Sequence, residues 1–282
     1  MDTIHATRLA FFFGIFAAMA LFEIFAPGRP LAHGRKNRWF TSWSLVVLDS
    51  ILVRIVFPLG GVGIAYWATQ ESIGLFNWIE IPLWLAGMIS FFVLDWSIWF
   101  THVLSHKIPF LWRFHRVHHA DPDMDVTTAI RFHPIEILLS MGWKTILIIA
   151  LGAPPLAVLI FEIVLNGGAL FNHTNIRLPG LLEKAVRLLI VTPDMHRVHH
   201  SQRMVETDSN YGFSLSVWDR LFGTYTDQPR DGHENMKIGL ETIEGEKAEK
   251  LIFSLSIPFR HIRESRRDPT PDTKSNWQSD NN

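Results

Sequence analysis

Apolar residues along this chain are blocked rather than spread. Long runs from Leu9 to Phe25, Leu45 to Trp67, Ile81 to Phe100, Ile135 to Leu151 and Pro155 to Phe171 are separated by polar connections. A helix needs roughly 20 apolar residues to cross the hydrocarbon of a bilayer, and several of these runs approach that length. Ile81 to Phe100 is the cleanest, with Asp95 as its single charge. The last two runs are shorter and carry Glu136, Lys144 and Glu162. Gly152-Ala153-Pro154-Pro155 joins them and predicts a tight helical hairpin that spans the membrane or dips into it. Leu181 to Val191, interrupted by Glu183, Lys184 and Arg187, predicts an amphipathic helix along the interface. From Glu264 the chain turns polar, with Pro269 and Pro271, and reads as a disordered tail. The pattern thus predicts an all-α integral membrane protein, with one membrane-embedded domain over residues 1–265 and a polar tail over 266–282.

Composition sharpens this reading. Of 282 residues 48% are hydrophobic, and 11 Trp with 21 Phe are a load suited to rings anchored at a bilayer interface. A net charge of -1 provides no basic field for nucleic acid. The placement of charge says more. Arg29, Arg35, Lys36 and Arg38 follow the first run, whereas Ala68 to Glu80 has no Lys or Arg. The positive-inside rule makes the first loop cytoplasmic and the second not. The third run then returns to the cytoplasmic side, where Lys107, Arg113, Arg116 and Arg131 agree. The first run lacks a clear small-residue cleavage site and reads as a retained anchor. Cysteine is absent, which excludes disulfides, thiolate iron sites and an internal iron-sulfur cluster. Gly60-Gly61-Val62-Gly63 lies inside an apolar run without the strand or the following acid of a dinucleotide loop, and is discounted.

The candidate chemistry lies in histidine. The pentapeptide His-Arg-Val-His-His occurs twice, from His115 to His119 and from His196 to His200, so six of the 14 histidines repeat one spacing. Positions i, i+3 and i+4 share a helix face, so each copy can aim three imidazoles at one point. A pH-sensitive surface patch has no need of the same spacing twice; metal ligation does, and imidazole is the commonest metal-ligating side chain. His102 and His106 add an i, i+4 pair, and His173 lies between asparagines in Asn172-His173-Thr174-Asn175. His102, His106, His115, His118, His119, His173, His196, His199 and His200 are too many ligands for one ion and about right for two. All nine fall on the side assigned as cytoplasmic.

Asp95, Trp99, His102 and His106 follow one another at steps of four, three and four, a stripe down one helix face. The spacing places Asp95 to accept a hydrogen bond from a ligand imidazole. Pro193-Asp194 suits a helix start ahead of the second cluster, and Asn172 and Asp194 are candidates to tune the site. His133, just before Pro134, is a tenth ligand, a donor to the ligands or a simple cap. Imidazole binds zinc, copper, iron and nickel alike. Two redox-active irons can bind dioxygen and attack an unactivated C–H bond, chemistry that belongs to the cofactor. A zinc-dependent membrane hydrolase using the same histidines is the alternative. A metal carrier would spread its ligands along a transmembrane path, whereas these gather on one side.

The order His102-x-x-x-His106, the first His-x-x-His-His, His173 after the hairpin and the second His-x-x-His-His resembles the fatty acid hydroxylase and sterol desaturase superfamily of membrane di-iron enzymes. Arg131-Phe132-His133-Pro134, Asn172-His173, Asn210-Tyr211-Gly212 and the stretch Trp218 to Thr224 share in the likeness, which covers Trp39 to Thr226. The resemblance implies transmembrane helices with a cytosolic helical cap, two iron ions as cofactor and dioxygen as co-substrate, with no catalytic side chain beyond the metal centre. It implies hydroxylation or desaturation of a lipid, whether sterol, fatty acyl, carotenoid or ether lipid. The heme-binding motif of an appended cytochrome is absent from the sequence, so a separate electron-donor protein is expected. The membrane is then the plasma membrane of a bacterium or the endoplasmic reticulum of a eukaryote.

Overall fold

A computed structural model describes residues 2–262; the tail expected over 266–282 lies outside them. The regular elements begin with α1 (Asp2–Phe25), α2 (Arg35–Val56), α3 (Gly60–Gln70), α4 (Leu75–Trp78) and α5 (Leu83–Lys107). There follow α6 (Pro109–His119), α7 (Pro134–Leu151), α8 (Pro155–His173), α9 (Gly180–Val186), α10 (Pro193–His199), α11 (Met204–Thr207) and α12 (Val217–Leu221). Five segments are long and apolar enough to cross a bilayer: Ala6–Phe25, Arg35–Trp78, Leu83–Lys107, Pro134–Leu151 and Pro155–His173. Their outward faces fit lipid and not water, since Ile55, Leu83, Trp84 and Leu156 are each 65–74% exposed. Their inward faces interlock around Ile64, Leu94, Ile98, Ile148, Val158 and Phe161.

The sequence predicts one helix over Leu45–Trp67, but the chain makes two in series. Pro58 removes an N–H and its ring would strike the carbonyl of a continuing helix, and Gly60 turns through φ +62°. The direction is kept across the break. Phe57 packs beside Gly142, midway along α7, and Gly61 lies beside Ile148 nearer its end. Gly74 then meets the turn of the α7–α8 hairpin. At φ +100°, a Cβ on Gly74 would sit 2.2 Å from Gly152 N, so only glycine fits. This contact also shows how far along the bundle the hairpin reaches. Its tip reaches the loop joining α3 to α4, at the end of the bundle opposite the histidines, and 18 and 19 residues give helices about 27 and 28 Å long.

The 25 residues of α5 make about 38 Å of helix, about a turn and a half more than the roughly 30 Å hydrocarbon thickness, enough for the end that carries His102 and His106 to extend past it. There the cap is tied down by buried charge. Arg38 of α2 donates to Asp121 at 2.5 Å and Asp125 at 2.7 Å, all three fully enclosed. Glu23 near the end of α1 accepts from the backbone N–H of Val126 and of Asn175, both at 2.7 Å. The end of α1 and the start of α2 thereby clasp the segments that follow the first histidine cluster and His173.

Candidate metal centre

Four helix ends deliver the nine candidate histidines. His102 and His106 close α5. Ile108-Pro109 then breaks the chain and starts α6, whose last turns carry His115, His118 and His119. His173 ends α8. Thr192 caps α10, its Oγ1 accepting from Met195 N at 3.3 Å, and Pro193 follows at the first helical position. Short as it is, α10 places His196, His199 and His200 against the other five side chains and His173.

The rings converge as two groups, each with ligand atoms within 4.8 Å of one another: His102, His106, His115, His119 and His199 in one, and His118, His173, His196 and His200 in the other. This corrects the expectation that each pentapeptide aims at one point. The first copy gives His115 and His119 to one group and His118 to the other; the second gives His199 to the first and His196 with His200 to the second. In each copy the i and i+4 rings stay together while the i+3 ring, on the other side of the stripe because 3.6 residues make a turn, goes to the neighbouring group. The groups adjoin where His119 and His200 stack at 4.6 Å.

The outer nitrogens fix the tautomers. His102 Nδ1 meets Tyr211 O at 2.6 Å, His173 Nδ1 meets Ala169 O at 2.7 Å and His199 Nδ1 meets Ser209 O at 2.7 Å. A carbonyl only accepts, so each Nδ1 carries the hydrogen and each Nε2 keeps its lone pair turned inward. His115 Nδ1 reaches Glu136 Oε1 at 2.6 Å. Inside, His102 Nε2 lies 3.0 Å from His115 Nε2, and His173 Nε2 lies 3.1 Å from both His118 Nε2 and His196 Nε2. One lone pair on His173 cannot serve two neighbours. The Nε2 atoms of His106, His119, His199 and His200 are buried with no partner at all. A cation answers this arrangement. Two ligands at right angles on an ion with bonds near 2.1 Å stand about 3.0 Å apart, the spacing observed. Burial and neighbouring rings hold His118, His119, His196, His199 and His200 well below the usual 6.5, and burial pushes His115 down to about 3. All are neutral, as ligation requires.

The expected tuning residues sit elsewhere. Asp95 does not touch His102; its Oδ2 accepts from Trp218 Nε1 at 2.7 Å. Side chains two turns apart on one helix cannot exchange a hydrogen bond when a closer carbonyl, that of Tyr211, already holds the ring. Asp194 pairs with Arg197. Asn172 donates to Phe213 O at 2.7 Å. His133 caps α7, accepting from Ile135 N at 3.2 Å, and belongs to neither group.

Two residues with a clearer part were not singled out in the sequence. Glu136 was visible as a charge in an apolar helix, and the fold puts it on His115. Asp219 is fully buried and accepts from Trp99 Nε1, Thr224 Oγ1 and the backbone N–H groups of Tyr211 and Gly212, at 2.7–3.0 Å. It shapes the loop that offers Tyr211 O to His102. Trp99 also stacks on Phe222 at 4.5 Å. The stripe on α5 thus has two uses: Asp95 and Trp99 dock the Trp218–Phe222 segment, and His102 and His106 face the centre.

Residues 87–224 match the fatty acid hydroxylase family model. The chain belongs to the fatty acid hydroxylase and sterol desaturase superfamily. This hydroxylase-type enzyme is 28% identical to an ornithine lipid hydroxylase of Rhizobium tropici over 252 residues, 86% of this chain and 72% of that one. It is 31% identical to human alkylglycerol monooxygenase over 167 residues, 57% of this chain and 35% of the relative. A cholesterol 25-hydroxylase-like protein of Danio rerio is 28% identical over 191 residues, 66% of this chain and 73% of its own. The chain therefore spans about a third of the human alkylglycerol monooxygenase but most of the other two. No solved structure matches it.

Proposed function

We propose that the nine histidines hold two iron ions and that the protein hydroxylates a membrane lipid, using dioxygen and electrons from a separate donor protein. One oxygen atom enters a C–H bond and the other leaves as water, with two electrons and two protons supplied. When bound, the metal pair would supply the oxidising power; the chain supplies everything that directs it. The observation that carries this reading is a cavity of about 350 Å³ among α5, α6, α7 and α8, which ends against His102 and His115. Its walls are largely apolar, with Ile98, Phe132, Ile137 and Leu165 among them, and Leu139, 48% exposed, also lines it. A lipid chain has a sideways route from the bilayer to the histidines along largely apolar walls.

Hydroxylation is favoured over desaturation because the relatives carry hydroxylase or monooxygenase names, and a polar membrane lipid is favoured by the R. tropici protein. The positive-inside count supports a centre on the cytoplasmic side. The test is metal analysis of anaerobically purified protein, joined to lipid mass spectrometry of cells with and without it under 18O2. Iron near two per chain and a lipid gaining one 18O are expected. Zinc without iron, and no 18O product, would favour the hydrolase instead.

A further inference from the structure

Away from the histidines the cavity is lined by a basic side chain, Lys144, that makes no hydrogen bond or close ion pair among the described residues. His115 and Glu136 lie at one end, and Trp143, Lys144 and Asn166 also line it. Glu136 and Lys144 are eight residues apart on α7, which is about 12 Å of helix. Lys144 therefore lies well inside the apolar span Pro134–Leu151. Charge at that depth is costly, and basic residues found there pair with an opposite charge or mark a ligand pathway.

The neighbouring acid is already engaged. Glu162 Oε2 lies 3.2 Å from Arg8 Nε, so its single negative charge is shared between Arg8 and the more distant Lys144. Next to it, Trp143 Nε1 is buried without an acceptor. Arg8, Lys144 and Glu162 leave one positive charge in excess, and the same cavity is lined by Lys144 and by Trp143, whose Nε1 lacks an acceptor.

We propose that Lys144, with Trp143 beside it, binds a carboxylate at the deep end of the substrate's hydrocarbon chain and so fixes how the chain lies along the cavity toward His102 and His115. A carboxylate satisfies both donors and cancels the excess charge; an alkane does neither. This rests on the lipid-hydroxylase reading and adds to it a residue that selects and positions the substrate.

The test reads binding by metal-free protein in lipid nanodiscs, with empty nanodiscs as the partition reference. The probes are tritiated palmitate, hexadecanol and hexadecane. Wild type is expected to hold palmitate about tenfold or more tighter than hexadecane, the scale of a charge-assisted hydrogen bond. Lys144→Met should abolish that preference while leaving hexadecane affinity unchanged, which shows the cavity intact; Lys144→Arg should keep most of it. If the Met variant loses hexadecane as well, Lys144→Gln carries the same comparison. Equal affinity of wild type for palmitate and hexadecane, or a preference that survives loss of the lysine, overturns the proposal. Equal affinity for palmitate and hexadecanol overturns the carboxylate. Because no metal takes part, failure here leaves the iron assignment standing, and failure of the iron assay leaves this result readable.

Discussion

His102, His173 and His199 donate from Nδ1 to backbone carbonyls, whereas His115 uses the carboxylate of Glu136. The consequences differ by residue. His118→Ala or His199→Ala removes a ligand from one group each and is expected to lower bound metal and abolish turnover, with the protein still in the membrane fraction; metal analysis and product assay check it. Glu136→Gln replaces the acid that holds His115 Nδ1 with an amide, so metal affinity or activity should fall roughly 10- to 100-fold. Asp95→Asn should leave bound metal at wild-type level, because its partner is Trp218. If Asp95→Asn loses metal and Glu136→Gln does not, the roles given to the two acids are reversed. Acid gives a further expectation. Unfolded imidazoles protonate near 6.5, but burial keeps His118, His119, His196, His199 and His200 neutral well below that, and His115 to about 3. Between those values the unfolded chain takes up protons that the folded chain refuses, so folding stability rises with pH. Chelator-treated protein should therefore be fully stable above about pH 6.5 and melt at progressively lower temperature as pH drops toward 3. A melting temperature flat from about pH 7 to pH 5 would show that the rings titrate freely in the fold.

The elements matter for where they stop. Pro58, Pro109, Pro134, Pro155 and Pro193 each end or start a helix, and the last four stand at the head of α6, α7, α8 and α10. The chain's punctuation therefore decides which residues occupy helix ends, and the histidines follow. Between Asn210 and Thr224 there is little regular structure, and Asp219 replaces it with four accepted hydrogen bonds. Asn210, at φ +52°, closes the same loop through Thr224 O and Thr226 O. Asp219→Ala would strand four buried donors at about 1–3 kcal/mol each, so a loss of about 4 kcal/mol or more is expected. The expected result is a lower melting temperature together with weaker metal retention, since Tyr211 O would no longer be held against His102. A variant that melts lower yet keeps its metal would separate the loop from the site.

At the scale of the molecule, α1, α5 and α8 run toward the histidines and α2–α3 and α7 run away, so both loops at the far end are remote from the centre. Lys36 and Gln70, both exposed, mark the two ends. The chain has no cysteine, so single substitutions report cleanly. In intact bacterial cells a membrane-impermeant maleimide is expected to label Gln70→Cys and to spare Lys36→Cys. Labelling of both from outside would mean that the helices do not cross as the bundle's geometry requires.

Much of this was legible in the chain. Apolar runs of near-span length can only be buried in lipid or in a large core, so the five membrane-length segments followed from local composition, although one of them is broken into α2 and α3. A repeated His-x-x-His-His on helical spacing has few uses besides metal, so the nine histidines that the fold gathers into two groups could be singled out before any fold was known. Other features were decided by contacts between residues far apart in sequence. How each triplet divides between two groups depends on which rings from the other helices meet it. Glu136 and Asp219 act on His115 and Tyr211 from 21 and eight residues away, and the carbonyls of Tyr211, Ala169 and Ser209 belong to the backbone, which carries no residue-specific signal. The Asp95 stripe shows the limit from the other side. Periodicity placed Asp95 and His102 on one face, but which partner each side chain meets is set by what packs on that face, and only the folded Trp218–Phe222 segment supplies it.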